Sequence, residues 1–178
     1  MAYTEPDTDF QAGVEAYIKG DIKTAVQKFK IAAEQEEALA QFNLGLIYSH
    51  GHGIRPDYKE ALKWYRLAAD QGQAEAQSNL GWMYRNGLGV QKDYKEALRW
   101  YKLAADQGQT EAQWNLGLMH LNGLGTPQDY VQAYMWFNLS GVTGNRNAVR
   151  NRVSVEKRMT PLETAEAQRL AREWRPKR

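Results

Sequence analysis

Apolar residues recur along this chain in two alternating helical stripes. In the middle of the sequence, each stripe follows spacings near multiples of 3.6 residues, so that its members share one face of a helix. The first stripe holds Ala76, Leu80, Gly81 and Tyr84, and the second holds Ala97, Trp100, Tyr101, Ala104 and Ala105. The pattern predicts a pair of helices, and large aromatic side chains beside alanines suit helices that interlock.

The pattern repeats every 36 residues. Segment 40–45 is matched by 76–81 and again by 112–117, and segment 57–75 differs from 93–111 at only three of nineteen positions. Such a period indicates a solenoid, in which each unit buries its apolar face against the next. The near identity fits either recent duplication or consensus engineering. Glycine recurs at positions 45, 81 and 117, where it costs a helix about 1 kcal/mol relative to alanine. It therefore predicts a close approach by a neighbouring helix.

Acidic caps and glycines predict where the second helix of each unit starts and ends. Capping boxes begin at Asp57, Asp93 and Asp129, and glycines suited to a left-handed C′ position follow at Gly72, Gly108 and Gly144. Glu36 replaces that glycine in the N-terminal repeat, so we expect its turn to be built differently. The Gly-x-Gly loops at 51–53, 87–89 and 123–125 follow no strand, which favours turns with positive φ over a phosphate-binding loop.

Three motifs in combination resemble the Sel-one-like repeat (SLR), a relative of the tetratricopeptide repeat (TPR). They are A-x-x-x-L-G-x-x-Y, G-x-G and D-Y-x-x-A-x-x-W-Y-x-x-A-A-x-Q-G. The resemblance implies an all-α fold, a right-handed α-α superhelix (solenoid) of SLR/TPR-like helical hairpins. It also implies a non-catalytic adaptor for other proteins. Residues 136–137, 159–161 and 165–171 resemble the C-terminal ending of bacterial SLR proteins.

The predicted organisation has an N-terminal cap, three full repeats and a C-terminal cap. Its segments are a flexible stretch at 1–9, a TPR-like capping repeat at 10–37, SLR repeats at about 38–73, 74–109 and 110–144, and capping helices with a basic tail at 145–178. One capping helix should run to about Met159. Thr160-Pro161-Leu162-Glu163 then predicts the start of a last helix, with Ala165, Leu170 and Trp174 facing the array.

The candidate binding surface is the face of each first helix that lies opposite its apolar stripe. In TPR arrays this face lines the concave side, and here six of its fifteen positions are apolar, more than a purely solvated face requires. We expect a protein or peptide partner to bind there, with tryptophans as anchors and asparagines either bonding the partner's backbone or serving the fold. The predicted groove residues are Phe42, Asn43, Leu46, His50, Asn79, Trp82, Arg85, Asn86, Trp114, Asn115, Leu118, Leu121 and Asn122.

The distribution of charge suggests an alternative to protein binding. The chain has 23 basic and 21 acidic residues, a net charge of +2, but residues 141–178 hold ten basic and four acidic ones. This basic end could bind an anionic polymer or simply be a solvated cap. Its basic residues alternate with valines and not with base-stacking aromatics, so we expect no nucleic-acid partner.

Catalytic motifs are weak. Ser154 and Lys157 match the S-x-x-K of penicillin-recognising enzymes, which leaves a cell-envelope-associated β-lactam-binding or β-lactam-hydrolysing SLR protein as another alternative, yet the companion motifs are absent. His50 and His52 could contact a metal with Asp57, but two loop histidines without a further ligand are usually solvated. His120 is expected to pack in the core. We predict no enzyme, metal or cofactor. The chain has no cysteine, which excludes disulfides.

Nothing in the sequence addresses the chain to a membrane. It contains no apolar run as long as a signal peptide core or a membrane span. We expect a soluble monomer or weak oligomer without membrane insertion. The localisation stays open between a cytoplasmic protein and a mature exported domain.

Overall fold

The structure, a computed structural model, describes residues 8–177, which form ten helices and no strand. Two compact units divide the chain: the first runs to Ala76 and includes Leu88–Gln91, and the second comprises Gln77–Gly87 and the chain from Lys92. The helices are α1 (Thr8–Ile18), α2 (Ile22–Glu34), α3 (Ala38–His50), α4 (Tyr58–Asp70), α5 (Ala74–Asn86), α6 (Tyr94–Asp106), α7 (Thr110–Asn122), α8 (Tyr130–Val142), α9 (Arg146–Glu156) and α10 (Pro161–Glu173).

In the first unit, α1 to α4 pack in sequence, each on the helix before it. Buried alanines separate larger side chains, among them Phe29, Leu44, Ile47 and Trp64. Of the predicted flexible segment 1–9, residues 1–7 lie outside the described residues. Thr8 and Asp9 belong to α1, and the Asp9 carboxylate accepts from Lys28 at 2.7 Å.

The recurring glycine on each first helix faces an aromatic ring of the helix that follows. A methyl group on Gly81 would lie 2.7 Å from the Tyr101 ring, and one on Gly117 would lie 2.6 Å from the Phe137 ring. The same relation joins Gly45 to Tyr65 and Gly13 to Phe29, and all four rings are buried. The predicted close approach is confirmed, and its cause is an intruding ring that leaves no room for a Cβ.

The aspartate half of each predicted capping box is confirmed, but the reciprocal half is not, because the backbone N–H of each aspartate donates to a carbonyl of the preceding helix. The side chains of Asp57, Asp93 and Asp129 accept backbone N–H groups at the starts of α4, α6 and α8. The carboxylates expected to complete two of these capping boxes are engaged elsewhere: Glu60 accepts from the Trp64 indole, and Glu96 pairs with Arg99. Gly72, Gly108 and Gly144 adopt φ values of 91°, 92° and 103°, the left-handed conformation predicted for them.

The prediction for Glu36 was wrong. Glu36 adopts φ 64°, the left-handed conformation of its glycine counterparts. Its N–H donates to Ala33 and that of Glu37 donates to Ala32, the hydrogen-bond pattern of a Schellman motif. The same bonds close α4 at Gly72 and Gln73. The turn geometry is therefore retained without glycine, because two backbone hydrogen bonds hold it.

The Gly-x-Gly loops form turns, as predicted. Both glycines of each loop have positive φ, between 65° and 73°. The second glycine has an additional role that the sequence did not reveal. A Cβ on Gly89 would collide with the Tyr58 carbonyl in the first unit, and one on Gly125 would collide with the Tyr94 carbonyl in the second. Each loop thus lies directly against the start of an earlier second helix.

The C-terminal helices depart from the repeat. Thr160 forms the predicted capping box with Glu163, but α9 ends at Glu156, before Met159. The predicted inward face of α10 was wrong at Ala165, which is exposed, since Ala167 and Ala171 are the buried residues. With these two alanines α10 packs chiefly on α8. Trp174 is half-buried as expected, with its ring edge-on to Trp136 at 6.4 Å between centroids.

Candidate binding surface on the first helices

In the second unit, the candidate surface lies on α5 and α7. Trp82 on α5 is 43% exposed, and its indole N–H makes no hydrogen bond within the described part of the chain. Three residues further on, the Arg85 guanidinium donates to Asn115 of α7 at 2.9 Å. This bond links the two helices and fixes Arg85 about one turn from the exposed indole. We refer to Trp82, Arg85 and Asn86 as the Trp82 surface.

The Trp114 part of the predicted surface is partly covered. Trp114, Leu118 and Leu121 are half-buried and pack with the C-terminal core cluster, which also includes Met159. The Trp114 indole N–H donates to Asn151 of α9 at 3.2 Å. Helix α9 therefore occupies part of the face that α7 would otherwise present to a partner.

The asparagines bond mainly to their own helices. Asn43, Asn86, Asn115 and Asn122 each donate to the carbonyl four residues earlier, at 2.7 to 3.0 Å. Asn115 is only 7% exposed, and its oxygen accepts from Arg85. Both ends of the Asn115 amide therefore have partners within the protein. Asn79 is half-buried.

In the first unit, α3 presents the corresponding positions. Phe42 and Leu46 are half-buried, and the Phe42 ring lies 6.0 Å from that of Tyr65. His50 is exposed and stacks on His52 at 5.3 Å between ring centroids, while His52 Nδ1 lies 2.7 Å from the Tyr17 hydroxyl. Across residues 8–177, no group of three potential metal-ligating side chains comes together.

The other chemical candidates are Ser154 with Lys157, His120 and the basic end. Ser154 and Lys157 are both exposed, and Lys157 is the residue that ends α9. His120 is half-buried, and burial lowers its pKa below the usual value. At the basic end, Arg152 donates to Asn138 at 2.7 Å and lies over the Tyr134 ring, while Arg169 pairs with two glutamates. Several of these cations therefore have partners within the protein.

Sequence reasoning missed a ladder of glutamines. Gln41 and Gln77 are buried on the first helices, and each accepts from a glutamine thirty residues later, Gln71 or Gln107 respectively. The third position of this series is Gln113, where the later residue is Thr143. The available signal was the recurrence of glutamine at positions 41, 77 and 113, a spacing of 36 residues.

Comparisons with known proteins match this architecture. A profile of the Sel1 repeat, the repeat of SLR proteins, matches residues 38–73, 74–109 and 110–141. Among solved structures, c5321, described as a protective antigen of uropathogenic Escherichia coli strains with an SLR fold, is 34% identical with a TM-score of 0.85. That match covers 93% of this chain and 37% of c5321.

A Sel1 repeat protein from Oxalobacter formigenes is 31% identical with a TM-score of 0.75, over 80% of this chain and 59% of that one. Helicobacter pylori cysteine-rich protein B, at 22% identity and a TM-score of 0.58, covers 72% of this chain and 92% of its own, and it shows the fold alone. The comparison with curated proteins gave no match. The chain thus spans less than two thirds of the length of the first two structural relatives, 37% and 59%.

These matches confirm the predicted SLR family and the predicted all-α solenoid fold. Sel1 repeat proteins are in general non-catalytic scaffolds, and the family suggests a role in protein interaction. Within residues 8–177, no helix combines the length and the apolar character that crossing a bilayer requires.

Proposed function

This chain belongs to the Sel1 repeat family, and from that premise we propose that it is an adaptor that binds a protein segment through its first helices, with the Trp82 surface as the main anchor. Leu118, Leu121 and the exposed part of Trp114 extend this surface on α7. Phe42, Leu46 and His50 form a separate contact region in the first unit. The partner is a protein or peptide, and the adaptor works without a cofactor.

The observation that carries the proposal is the state of Trp82. Its side chain is 43% exposed and its indole donor has no partner in the described chain, whereas the Trp114 and Trp64 indoles bond to Asn151 and Glu60. Tryptophan supplies a large apolar area together with one hydrogen-bond donor, and it dominates the energetics of many interfaces. An exposed tryptophan with a free donor is therefore suited to a partner's backbone carbonyl beside an apolar side chain.

Arg85 adds a polar contact at a fixed position. Its guanidinium is half-buried and held by Asn115, so that little conformational entropy remains to be lost when a partner binds. A guanidinium favours carboxylate or carbonyl oxygens. We infer that the bound segment places an apolar residue on Trp82 and an oxygen acceptor within one helical turn of it, opposite Arg85.

Photo-cross-linking tests the surface with an internal control. A photoreactive phenylalanine analogue is placed at Trp82 in one variant and at Leu103 in another, because Leu103 is 40% exposed on α6, a second helix. Both are exposed to lysate of the source organism. We expect a discrete protein adduct from position 82 that excess wild-type chain suppresses, and none from position 103. Equal adducts at both positions, or none, would contradict the proposal.

A selection experiment then defines the recognised segment. Displayed twelve-residue peptides are selected on the wild type and counter-selected on Trp82→Ala, whose helicity should be unchanged because the side chain is exposed. The expected peptides share an apolar residue followed within one turn by Asp or Glu. Neither alternative from the sequence, the β-lactam protein with Ser154 and Lys157 or the anionic-polymer binder, has a comparable supporting observation.

A further inference from the structure

The glutamine ladder is a repeated hydrogen-bond device of the hairpins. In the first unit, the Gln71 carboxamide nitrogen donates to Gln41 Oε1 at 2.9 Å and to the Glu36 carbonyl at 2.9 Å. In the second unit, the Gln107 carboxamide donates to Gln77 Oε1 at 2.8 Å. One primary amide thus satisfies a buried glutamine oxygen, and in the first unit it also bonds to the backbone of the preceding turn.

The ladder is incomplete in the third repeat. Gln113 is 1% exposed, and its nitrogen donates to the Ala105 carbonyl at 3.4 Å, but its Oε1 accepts no hydrogen bond from any described residue. Thr143 stands where Gln71 and Gln107 stand in the earlier repeats. Its hydroxyl is already engaged, donating to the Ser140 carbonyl and accepting from Thr110, each at 2.9 Å. A buried acceptor without a donor costs roughly 1–3 kcal/mol.

A cavity of about 430 Å³ lies at this defect. It is bounded by the α6–α7 turn, by α8, and by the end of α10 with the tail that follows. The tail is held in place because the Lys177 backbone N–H and ammonium donate to the Asp106 carbonyl and carboxylate, each at 2.7 Å. Its lining includes Gly108, Gln113, Leu139, Thr143, Trp174 and Pro176.

The walls are mainly apolar and the opening is accessible. Leu139, Trp174 and Pro176 supply apolar surface, while Val142, which is 81% exposed, and the exposed Arg172 lie at the rim. The volume falls in the range of small-molecule sites, which combine apolar walls with a few polar groups. Gly108, which also lines the cavity, corresponds by position to Glu36 and Gly72, so its carbonyl is the counterpart of the second acceptor used by Gln71.

From these contacts we propose that the cavity binds a primary carboxamide attached to a small apolar body. The bound amide would take the place of the missing glutamine side chain, donating to Gln113 Oε1 and to the Gly108 carbonyl. Its apolar part would pack against Leu139 and Trp174. The ligand is either a free amide or the glutamine side chain of a bound peptide, since both present the same group. The proposal is independent of the Trp82 surface.

The test uses the full chain and two matched probes. Nitrogen-15 NMR follows titrations with 4-methylpentanamide and with 5-methyl-2-hexanone, a ketone of similar shape that lacks the N–H donors. We expect saturable shifts of the Gln113 side-chain amide and the Trp174 indole, with the amide binding at least about tenfold more tightly, because the ketone cannot satisfy a buried acceptor. Acetyl-Leu-Gln-N-methylamide serves as the peptide probe, and whichever source binds more tightly identifies the natural form.

Variants at position 143 decide the mechanism. Thr143→Gln rebuilds the ladder with the residue found at positions 71 and 107, so it should fold and lose binding of 4-methylpentanamide. Thr143→Val removes the hydroxyl without adding an amide and should retain binding, and Gln113→Leu should lose the preference for amide over ketone. Three results would each overturn the proposal: undiminished binding to Thr143→Gln, equal binding of the two probes to the wild type, or no shifts with about 20 mM probe. The last result would mean that only water fills the cavity.

Discussion

The two ends of the chain handle the same repeat pattern in opposite ways. At the N-terminal end, in the first unit, α1 and α2 form a closed hairpin in which the Phe29 ring covers Gly13. At the C-terminal end, in the second unit, Arg152 and Val153 stand on α9 at the Leu-Gly positions. There α10 packs chiefly on α8, and Val153 remains 44% exposed.

The difference shows what closes a hairpin in this fold. A ring from the second helix can pack only where the first helix carries glycine, since any Cβ would occupy the space of the ring. Val153 removes that space on α9. Helix α10 accordingly has no aromatic residue at its centre and uses Ala167 and Ala171 to lie on α8. Apolar residues still follow one face of α9, but without the glycine α9 does not form a ring-on-glycine contact with the following helix.

The largest expected effect follows from removing a ring. Phe137→Ala should lower the free energy of unfolding by about 3–5 kcal/mol, because the ring is fully buried on Gly117. Val153→Ala, at the end that lacks this contact, should change it by less than about 0.5 kcal/mol. Urea denaturation followed by circular dichroism measures both. Similar losses for the two variants would contradict the distinction between hairpins closed by a ring on a glycine and the C-terminal helix pair that lacks this contact.

Filling the glycine space should cost less. Gly117→Ala places a methyl group 2.6 Å from the Phe137 ring, and we expect a loss of about 1–3 kcal/mol despite the better helix propensity of alanine. In the double variant Gly117→Ala/Phe137→Ala the clash is absent, so the two losses should not add. Strict additivity in urea denaturation would show that the ring and the glycine are not coupled.

The turn at Glu36 should gain stability from the glycine that it lacks. Glu36→Gly removes the steric cost of a left-handed side chain, and we expect a gain of about 1 kcal/mol. Gly72→Glu makes the reverse exchange where a Cβ would meet no atom within 4 Å, so it should lose about as much. Thermal and urea unfolding of both variants measure the effect. A loss on Glu36→Gly would mean that the glutamate side chain stabilises the turn.

The smallest expected effect concerns pH in the third repeat. Burial lowers the pKa of His120 in the folded state, with the nearby Asp129 charge opposing this. The unfolded chain therefore binds the proton more tightly, so stability is full above the unfolded pKa of about 6.5 and declines as pH falls below it. His120→Tyr, the residue at positions 48 and 84, should reduce the fall in melting temperature between pH 7.5 and 5.5. An unchanged fall would exclude His120 as its source.

Much of the candidate surface could be placed from the sequence, because helical periodicity alone assigns Trp82 and Arg85 to the face opposite the core stripe. Periodicity did not indicate that α9 would cover part of Trp114 or that Asn115 would be buried beneath Arg85. The first depends on how α9 packs and the second on how α5 and α7 meet, and periodicity within one helix fixes neither. The cavity beside Gln113 was missed because it depends on where α10 and its tail lie.

The sequence by itself determined the repeat, the boundaries of the second helix in each full repeat and the aspartate N-caps, since these follow from local backbone preferences and from a period of 36 residues. Tertiary structure alone decided which ring enters each glycine space and where α10 packs. It also decided that Gln113 keeps an unpartnered oxygen beside a cavity. These outcomes depend on contacts between residues distant in sequence, and packing selects among several local choices of similar energy.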